Sequence, residues 1–208
     1  RLDTSGTLDR LAYIKNKYPD ESHRLSIVWH DLKSPLNKYV MKQLEGVEYI
    51  FHLAAGSHVD RSIENPLEFV MDNVVGTCNL LDYAREIKPK LFIYFSTDEV
   101  FGPAPDNVAY KEWDRYNSGN PYSASKAGAE ELCLAYENTY GLPILITHCM
   151  NVFGERQHNE KYIPLCIKRI LSGEKIYVHS NEDCTKAGSR FYIHYMDVCD
   201  AVFHIWFL

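Results

Sequence analysis

Four short apolar runs punctuate the chain: Leu25–Trp29, Tyr49–Leu53, Leu91–Phe95 and Ile144–Thr147. Each is rich in Ile, Val, Leu and aromatic residues and lacks polar alternation, the pattern of a strand buried on both faces of a parallel sheet. Between the second and third, Leu67, Val70, Met71, Val74, Cys78 and Leu81 recur at helical spacing, with Asn65 placed to cap the helix and Pro66 at its first position. Between the third and fourth, a helix opens at Asn120-Pro121 and is stopped by Gly141, with Pro143 just beyond. Strand–helix–strand alternation with crossovers of this length predicts an α/β fold, a doubly wound, Rossmann-like parallel sheet. The stretches Gly102–Gly119 and Ser180–Ser189 read as loops.

The chain opens at Arg1-Leu2-Asp3, where a second strand is expected to finish, and stops at Ile205-Trp206-Phe207-Leu208 within an apolar helical pattern. No G-x-G-x-x-G turn occurs in it, although such a turn normally opens a dinucleotide-binding domain. The sequence is therefore expected to be part of a longer enzyme.

Composition narrows the function classes. Apolar residues make up 46% of the 208 and charged residues 24%, which is ordinary for a soluble globular chain. A net charge of −6 with no basic stripe argues against a nucleic-acid partner. No apolar run approaches the ~18–20 residues that span a bilayer, so no membrane association is expected. The six cysteines form no C-x-x-C pair and read as reduced thiols of a cytoplasmic protein, and the nine scattered histidines suggest no metal site.

Three segments carry chemistry. Tyr122 and Lys126 stand four apart at the start of a helix and so share a face. A lysine ammonium there would favour the phenolate and turn a poor base into a plausible one for a sugar hydroxyl. Ser96-Thr97-Asp98-Glu99-Val100-Phe101-Gly102 follows the apolar run Leu91–Phe95, at the carboxyl end of a strand, where open parallel sheets bind ligands. Adjacent carboxylates in that place are costly as structural residues and useful as acid and base. His52-Leu53-Ala54-Ala55-Gly56-Ser57-His58-Val59-Asp60-Arg61-Ser62 ends another strand, and its small residues would let a flat cofactor approach the backbone.

Together H-L-A-A-x-S-H-V-D-R-S, S-T-D-E-V-F-G, N-P-Y-S-A-S-K-A, Y-G-L-P and E-K-Y-I-P-L resemble the extended short-chain dehydrogenase/reductase (NAD-dependent epimerase/dehydratase) family, in particular its dTDP-glucose 4,6-dehydratase members. The likeness runs from about residue 48 to 200, and more weakly from Asp3. The Asp98-Glu99 pair discriminates within the family, since related epimerases and decarboxylases usually lack it. The resemblance implies an NAD-binding Rossmann-like domain over 1–150, without its first strand and Gly-rich loop, and the beginning of a sugar-nucleotide-binding region over 151–208, interleaved with the sheet. It implies a lyase acting on a nucleoside-diphosphate hexose, dTDP-glucose first, and a homodimer formed through the helices near Leu67–Ile87 and Tyr122–Tyr140.

Roles follow residue by residue from the same resemblance. Thr97 and Tyr122 would contact the sugar O4, while Lys126 would bind the nicotinamide ribose and lower the pKa of Tyr122. Asp98 would protonate the departing 6-hydroxyl and Glu99 would take the C5 proton. Asp3 would bind the adenosine ribose, favouring NAD over NADP, and Asp31 the adenine amine. Leu53, Ala54, Ala55 and Ser57 would line the cofactor, with Ser57 also near the sugar, and Asn73 would brace that loop. Asn151, Glu160, Lys161 and Arg190 match positions that hold the sugar and its diphosphate nucleotide. The chain departs from the pattern at Gly56, where glutamate is usual, at Phe191, where aspartate is usual, and in a short loop between Glu99 and Tyr122. A 4-epimerase or decarboxylase on the same scaffold, and a non-catalytic binding fragment, are the alternatives.

Overall fold

The computed structural model describes residues 7–105 and 107–207. Asp20–Cys149 form one compact unit. Residues 7–19, which carry the first helix α1 (Asp9–Lys17), group with residues 150–207 in a second.

The first unit is built on a parallel sheet in the order β1 (Tyr49–His52), β2 (Leu91–Thr97), β3 (Ile144–Cys149). Tyr49 stands opposite Leu91, and Thr97 opposite Cys149, so the carboxyl ends of the strands face the same way. These are three of the apolar runs expected to be strands; burial on both faces holds for β2, where Phe92, Ile93 and Tyr94 are each almost fully enclosed, while Phe51 of β1 is exposed and β3 is half-buried along its length. The run Leu25–Trp29 differs from expectation. It forms no strand, and Trp29 is 62% exposed. A strand exists only where a neighbour takes its N–H and C=O groups, and among the described residues none pairs with this segment. It is followed by α2 (Lys38–Gln43), capped by the Asn37 side chain.

The two helices anticipated by pattern are present. Downstream of α3 (Val59–Glu64), α4 (Pro66–Phe69) passes through a π-helical stretch, Val70–Val75, into α5 (Gly76–Ile87). Helical spacing alone did not announce the π stretch, which shifts the face presented and buries Asn73. α6 (Pro121–Tyr140) starts with a reciprocal cap, Asn120 bonding Ser123 N–H while the Ser123 hydroxyl accepts from Asn120 N–H. It ends at Gly141, φ 67°, the left-handed cap that glycine adopts without a Cβ penalty. Leu81 and Ala84 of α5 and Ala129 and Cys133 of α6 close with Phe92 and Tyr94 into the main core. Full burial of a side chain the size of Leu81 contributes about 1.5–3 kcal/mol.

After β2 the chain makes a 3₁₀ turn, Asp98–Phe101, and leaves it at Gly102 with φ 74°. A Cβ there would lie 2.3 Å from the Asn117 carbonyl oxygen. Gly102→Ala should therefore cost about 2–3 kcal/mol in urea unfolding, through strain plus a backbone clash. A change under a few tenths would mean that the turn relaxes freely.

In the second unit, β4 (Asn151–Phe153) pairs in parallel with β5 (Tyr192–His194), with α7 (Tyr162–Leu171) between them in sequence and α8 (Tyr195–Trp206) following. The polar stretch near residue 185 is a loop closed by a bridge between Ser180 and Ala187. No helix among the described residues is long and apolar enough to cross a membrane.

Candidate active site

The turn after β2 owes its shape to Thr97. Its side chain accepts the Glu99 backbone N–H at 3.3 Å, capping the 3₁₀ turn and fixing Asp98 and Glu99 half-buried at the strand's carboxyl end. The Thr97 hydroxyl donates to Asp98 Oδ1 at 3.3 Å. Tyr122 enters from the first turn of α6. Its backbone N–H, one that a helix leaves without an internal partner, donates to the fully buried Ser62 hydroxyl at 3.1 Å. The Phe69 ring meets Tyr122 edge-on at 6.4 Å. Burial pushes the Tyr122 phenol up to about 12, the Glu99 and Asp98 carboxylates add to the rise, and a hydrogen bond with Thr97 opposes it. Thr97, Asp98, Glu99 and Tyr122 are thus gathered at one place.

Lys126 lies one turn further along α6 and is 3% exposed. Its ammonium donates to the Phe95 carbonyl at 2.7 Å and sits 4.1 Å from the centre of the Tyr94 ring. Burial lowers its pKa to about 8, against an opposing pull from the Glu130 carboxylate. The two side chains share a helix face; the ammonium is engaged by the Phe95 carbonyl and the Tyr94 ring, while burial, and after it the Glu99 and Asp98 carboxylates, hold the phenol up.

The loop after β1 supplies the small residues. Leu53, Ala54, Ala55 and Ser57 are exposed. Asn73, buried in the π stretch, accepts the Gly56 N–H at 2.7 Å and donates to the Gly56 carbonyl at 3.1 Å and to Ser125 at 2.8 Å. At Gly56 a Cβ would come within 3.1 Å of the Phe69 ring, so the loop approaches α4 closely where a glutamate is usual. His52 belongs to the core: it bonds Thr77 at 2.9 Å, and burial lowers its pKa to about 3, leaving it neutral. Asp31 lies in a turn held against α5 by Asn79, which donates to the Leu32 carbonyl at 2.7 Å. The Lys33 backbone N–H, 3.0 Å away, lowers the Asp31 pKa. Asp3 lies outside the described residues.

The remaining candidates belong to the second unit. Asn151 on β4 donates to the Phe191 carbonyl at 3.0 Å. Lys161 is the N-cap of α7, and Glu160 precedes it with its carboxylate 3.6 Å from His158. Arg190 is exposed and donates to the Ser189 carbonyl at 2.8 Å.

Other residues matter that the motifs did not single out. Asn120 bridges α6 to Glu99 as well as capping the helix, and Ser62 anchors Tyr122. Glu130 is fully buried, accepting from the Ser96 hydroxyl, from Tyr116 at 2.6 Å and from His148 at 2.8 Å. Its spacing of four from Lys126 was the one available clue.

The model of the NAD dependent epimerase/dehydratase family matches residues 6–206. The dTDP-glucose 4,6-dehydratase of Escherichia coli is 37% identical over 199 residues, 87% of this chain and 54% of that protein. A crystal structure of the dTDP-glucose 4,6-dehydratase of Streptomyces venezuelae with NAD bound is similar at TM-score 0.85 and 35% identity, over 97% of this chain and 59% of that one. The UDP-N-acetylglucosamine 4-epimerase of Methanobrevibacter ruminantium is similar at TM-score 0.79 and 28% identity, over 95% of this chain and 60% of that one. The chain spans about half the length of the curated relatives it matches.

Proposed function

The chain belongs to the NAD dependent epimerase/dehydratase family, and from that premise we propose that it carries the catalytic centre of a nucleoside-diphosphate-hexose 4,6-dehydratase of the dTDP-glucose type. The observation that carries this reading is the pair Asp98 and Glu99, both close enough to the Tyr122 phenol to raise its pKa. An epimerase or decarboxylase needs the tyrosine and lysine but no such pair. Relatives named as dehydratases, in Escherichia coli and Streptomyces venezuelae, support the same choice.

The residues present fit NAD. Small exposed side chains follow β1, the loop is braced from behind by Asn73, and a buried lysine stands at the end of β2. Leu53, Ala54, Ala55, Ser57, Tyr122 and Lys126 would hold the nicotinamide half, with Asp31 at the adenine and Asp3 at the adenosine ribose. The chemistry NAD supplies when bound is a hydride sink for C4 and a hydride source for C6.

The protein's own groups move the protons. Tyr122, held to the sugar O4 together with Thr97, accepts the 4-hydroxyl proton as C4 becomes a ketone. That ketone acidifies C5–H, Glu99 removes the proton, and Asp98 delivers one to the departing 6-hydroxyl, which leaves as water. Products are water and a 4-keto-6-deoxy sugar nucleotide. Asn151, Glu160, Lys161 and Arg190 would hold the sugar and diphosphate. The domain assignment follows: 1–150 for NAD and 151–208 for the sugar nucleotide. We also place the protein in the cytoplasm, which suits its free cysteines, as a homodimer formed through the helical stretch of about 67–87, from α4 through α5, and through α6.

The test is product identity. Full-length protein with NAD and dTDP-glucose should form the 4-keto-6-deoxy product, identifiable by NMR, and NADP should serve much less well. Formation of the C4 epimer alone would transfer the chain to the epimerases.

A further inference from the structure

We propose that Asn120 is a positioning residue for Glu99, its single carboxamide tying the C5 base to the first turn of α6; this rests on the dehydratase reading. Asn120 Oδ1 accepts the Ser123 N–H at 2.9 Å, and Nδ2 on the other side donates to Glu99 Oε2 at 3.3 Å. The amide has one workable orientation. Reversed, it would aim its NH₂ at the Ser123 N–H and its carbonyl at the carboxylate, losing both bonds.

Capping alone does not call for asparagine. Ser, Thr and Asp cap as well or nearly so, because each has an oxygen to accept the Ser123 N–H. Of these, only asparagine has a donor on a separate atom that reaches the opposite side, where the Glu99 carboxylate lies; the single short hydroxyl of serine or threonine does not. Aspartate would set a second negative charge against Glu99, and serine would leave that oxygen without the bond.

The other groups around Glu99 offer its carboxylate little in the way of donors. Asp98 shares its turn, and the buried Tyr122 phenol faces it from α6. Further along α6, the Lys126 ammonium is turned to the Phe95 carbonyl, and Glu130 carries another carboxylate. From β2, Thr97 directs its hydroxyl at Asp98. Asn120 thus supplies a donor where the neighbouring side chains supply negative charge. Because its other end is the helix cap, it also ties Glu99 to the turn that carries Tyr122, so that base and phenol keep their relative placement.

The experiment separates cap from positioning. Full-length wild type, N120D and N120S are compared by denaturant unfolding, by ¹³C-carboxyl NMR titration of Glu99 (its resonance identified with E99Q) and by the pH profile of kcat with dTDP-glucose and NAD. N120D should remain cooperatively folded, its midpoint at neutral pH lowered by no more than the tenfold change in Glu99 ionisation accounts for. Its Glu99 titration and the acid limb of kcat should move together to higher pH by about one unit, a tenfold change in ionisation. N120S should shift both less, in the same direction. If N120D proves unstable, N120S carries the comparison. An unmoved Glu99 titration in the folded variant would overturn the inference. Absence of 4-keto-6-deoxy product in wild type would instead overturn the dehydratase reading, and the NMR titration would still judge Asn120.

Discussion

Asp98→Asn combined with Glu99→Gln should leave oxidation at C4 intact and stop the reaction there. Oxidation draws on Tyr122, Lys126 and NAD, none of which the double variant alters. Elimination needs a proton taken from C5 and another given at C6, and the amides do neither. Loss of such help typically costs about 10²–10⁴-fold in rate. The geometry adds a second consequence. Both carboxylates raise the Tyr122 pKa, so neutral amides of the same shape let it fall from about 12 and make the phenol a better base. Oxidation should then be no slower than in wild type. A single-turnover mix of the full-length variant with a dTDP-hexose in deuterated water reads both steps. Reduced-nicotinamide absorbance should rise and persist, with little deuterium at C5 and little 4-keto-6-deoxy product. Turnover at the wild-type rate would remove Asp98 and Glu99 from the acid and base roles and move the epimerase reading ahead.

Features set by neighbours in sequence were legible, and features set by neighbours in space were not. α6 could be bounded by eye because its start and stop are local chemistry, Asn120 with Ser123 at one end and left-handed Gly141 at the other. β1, β2 and β3 were legible because each is a short apolar run between helical patterns, although only β2 is enclosed along most of its length, Phe51 of β1 being exposed and β3 half-buried throughout. Leu25–Trp29 has the same look, but a strand is a property of two segments, and among the described residues nothing pairs with it. The π stretch was hidden inside a pattern that reads as ordinary helix, although it is what buries Asn73. In the site, residue types and helical faces came from spacing, so Tyr122, Lys126 and the carboxylate pair could be named. Where each charge points depends on partners far along the chain. The Lys126 ammonium finds the carbonyl of Phe95, and Glu130 collects donors from β2, from the loop before α6 and from β3. No local rule announces either.

Lys126→Met should disable the enzyme and at the same time stabilise the fold. The ammonium is 3% exposed and has one carbonyl and one aromatic face for company, so burial outweighs the pull of Glu130 and lowers its pKa from 10.5 to about 8. At neutral pH the folded chain therefore carries a charge that it holds less readily than the unfolded chain does. Between about 8 and 10.5 the folded protein has released this proton while the unfolded one keeps it, so wild-type stability gains from this group as pH rises through that window. Below the window the cost is fully present; above it, the cost is gone. Methionine fills a similar volume without charge. Leaving the Phe95 carbonyl without its donor offsets part of the gain, so the net at neutral pH should be about 2 kcal/mol in favour of the variant. Denaturant unfolding of both proteins at neutral pH and near pH 10 tests the sign and the window: the variant's advantage should shrink at the higher pH. Activity should move the opposite way, by a factor of about 10² or more, since in the proposed mechanism Lys126 holds the nicotinamide ribose and methionine has no donor to offer it. A variant less stable than wild type at neutral pH would show that Lys126 is well solvated or firmly paired, and its pKa would then stand near the ordinary lysine value.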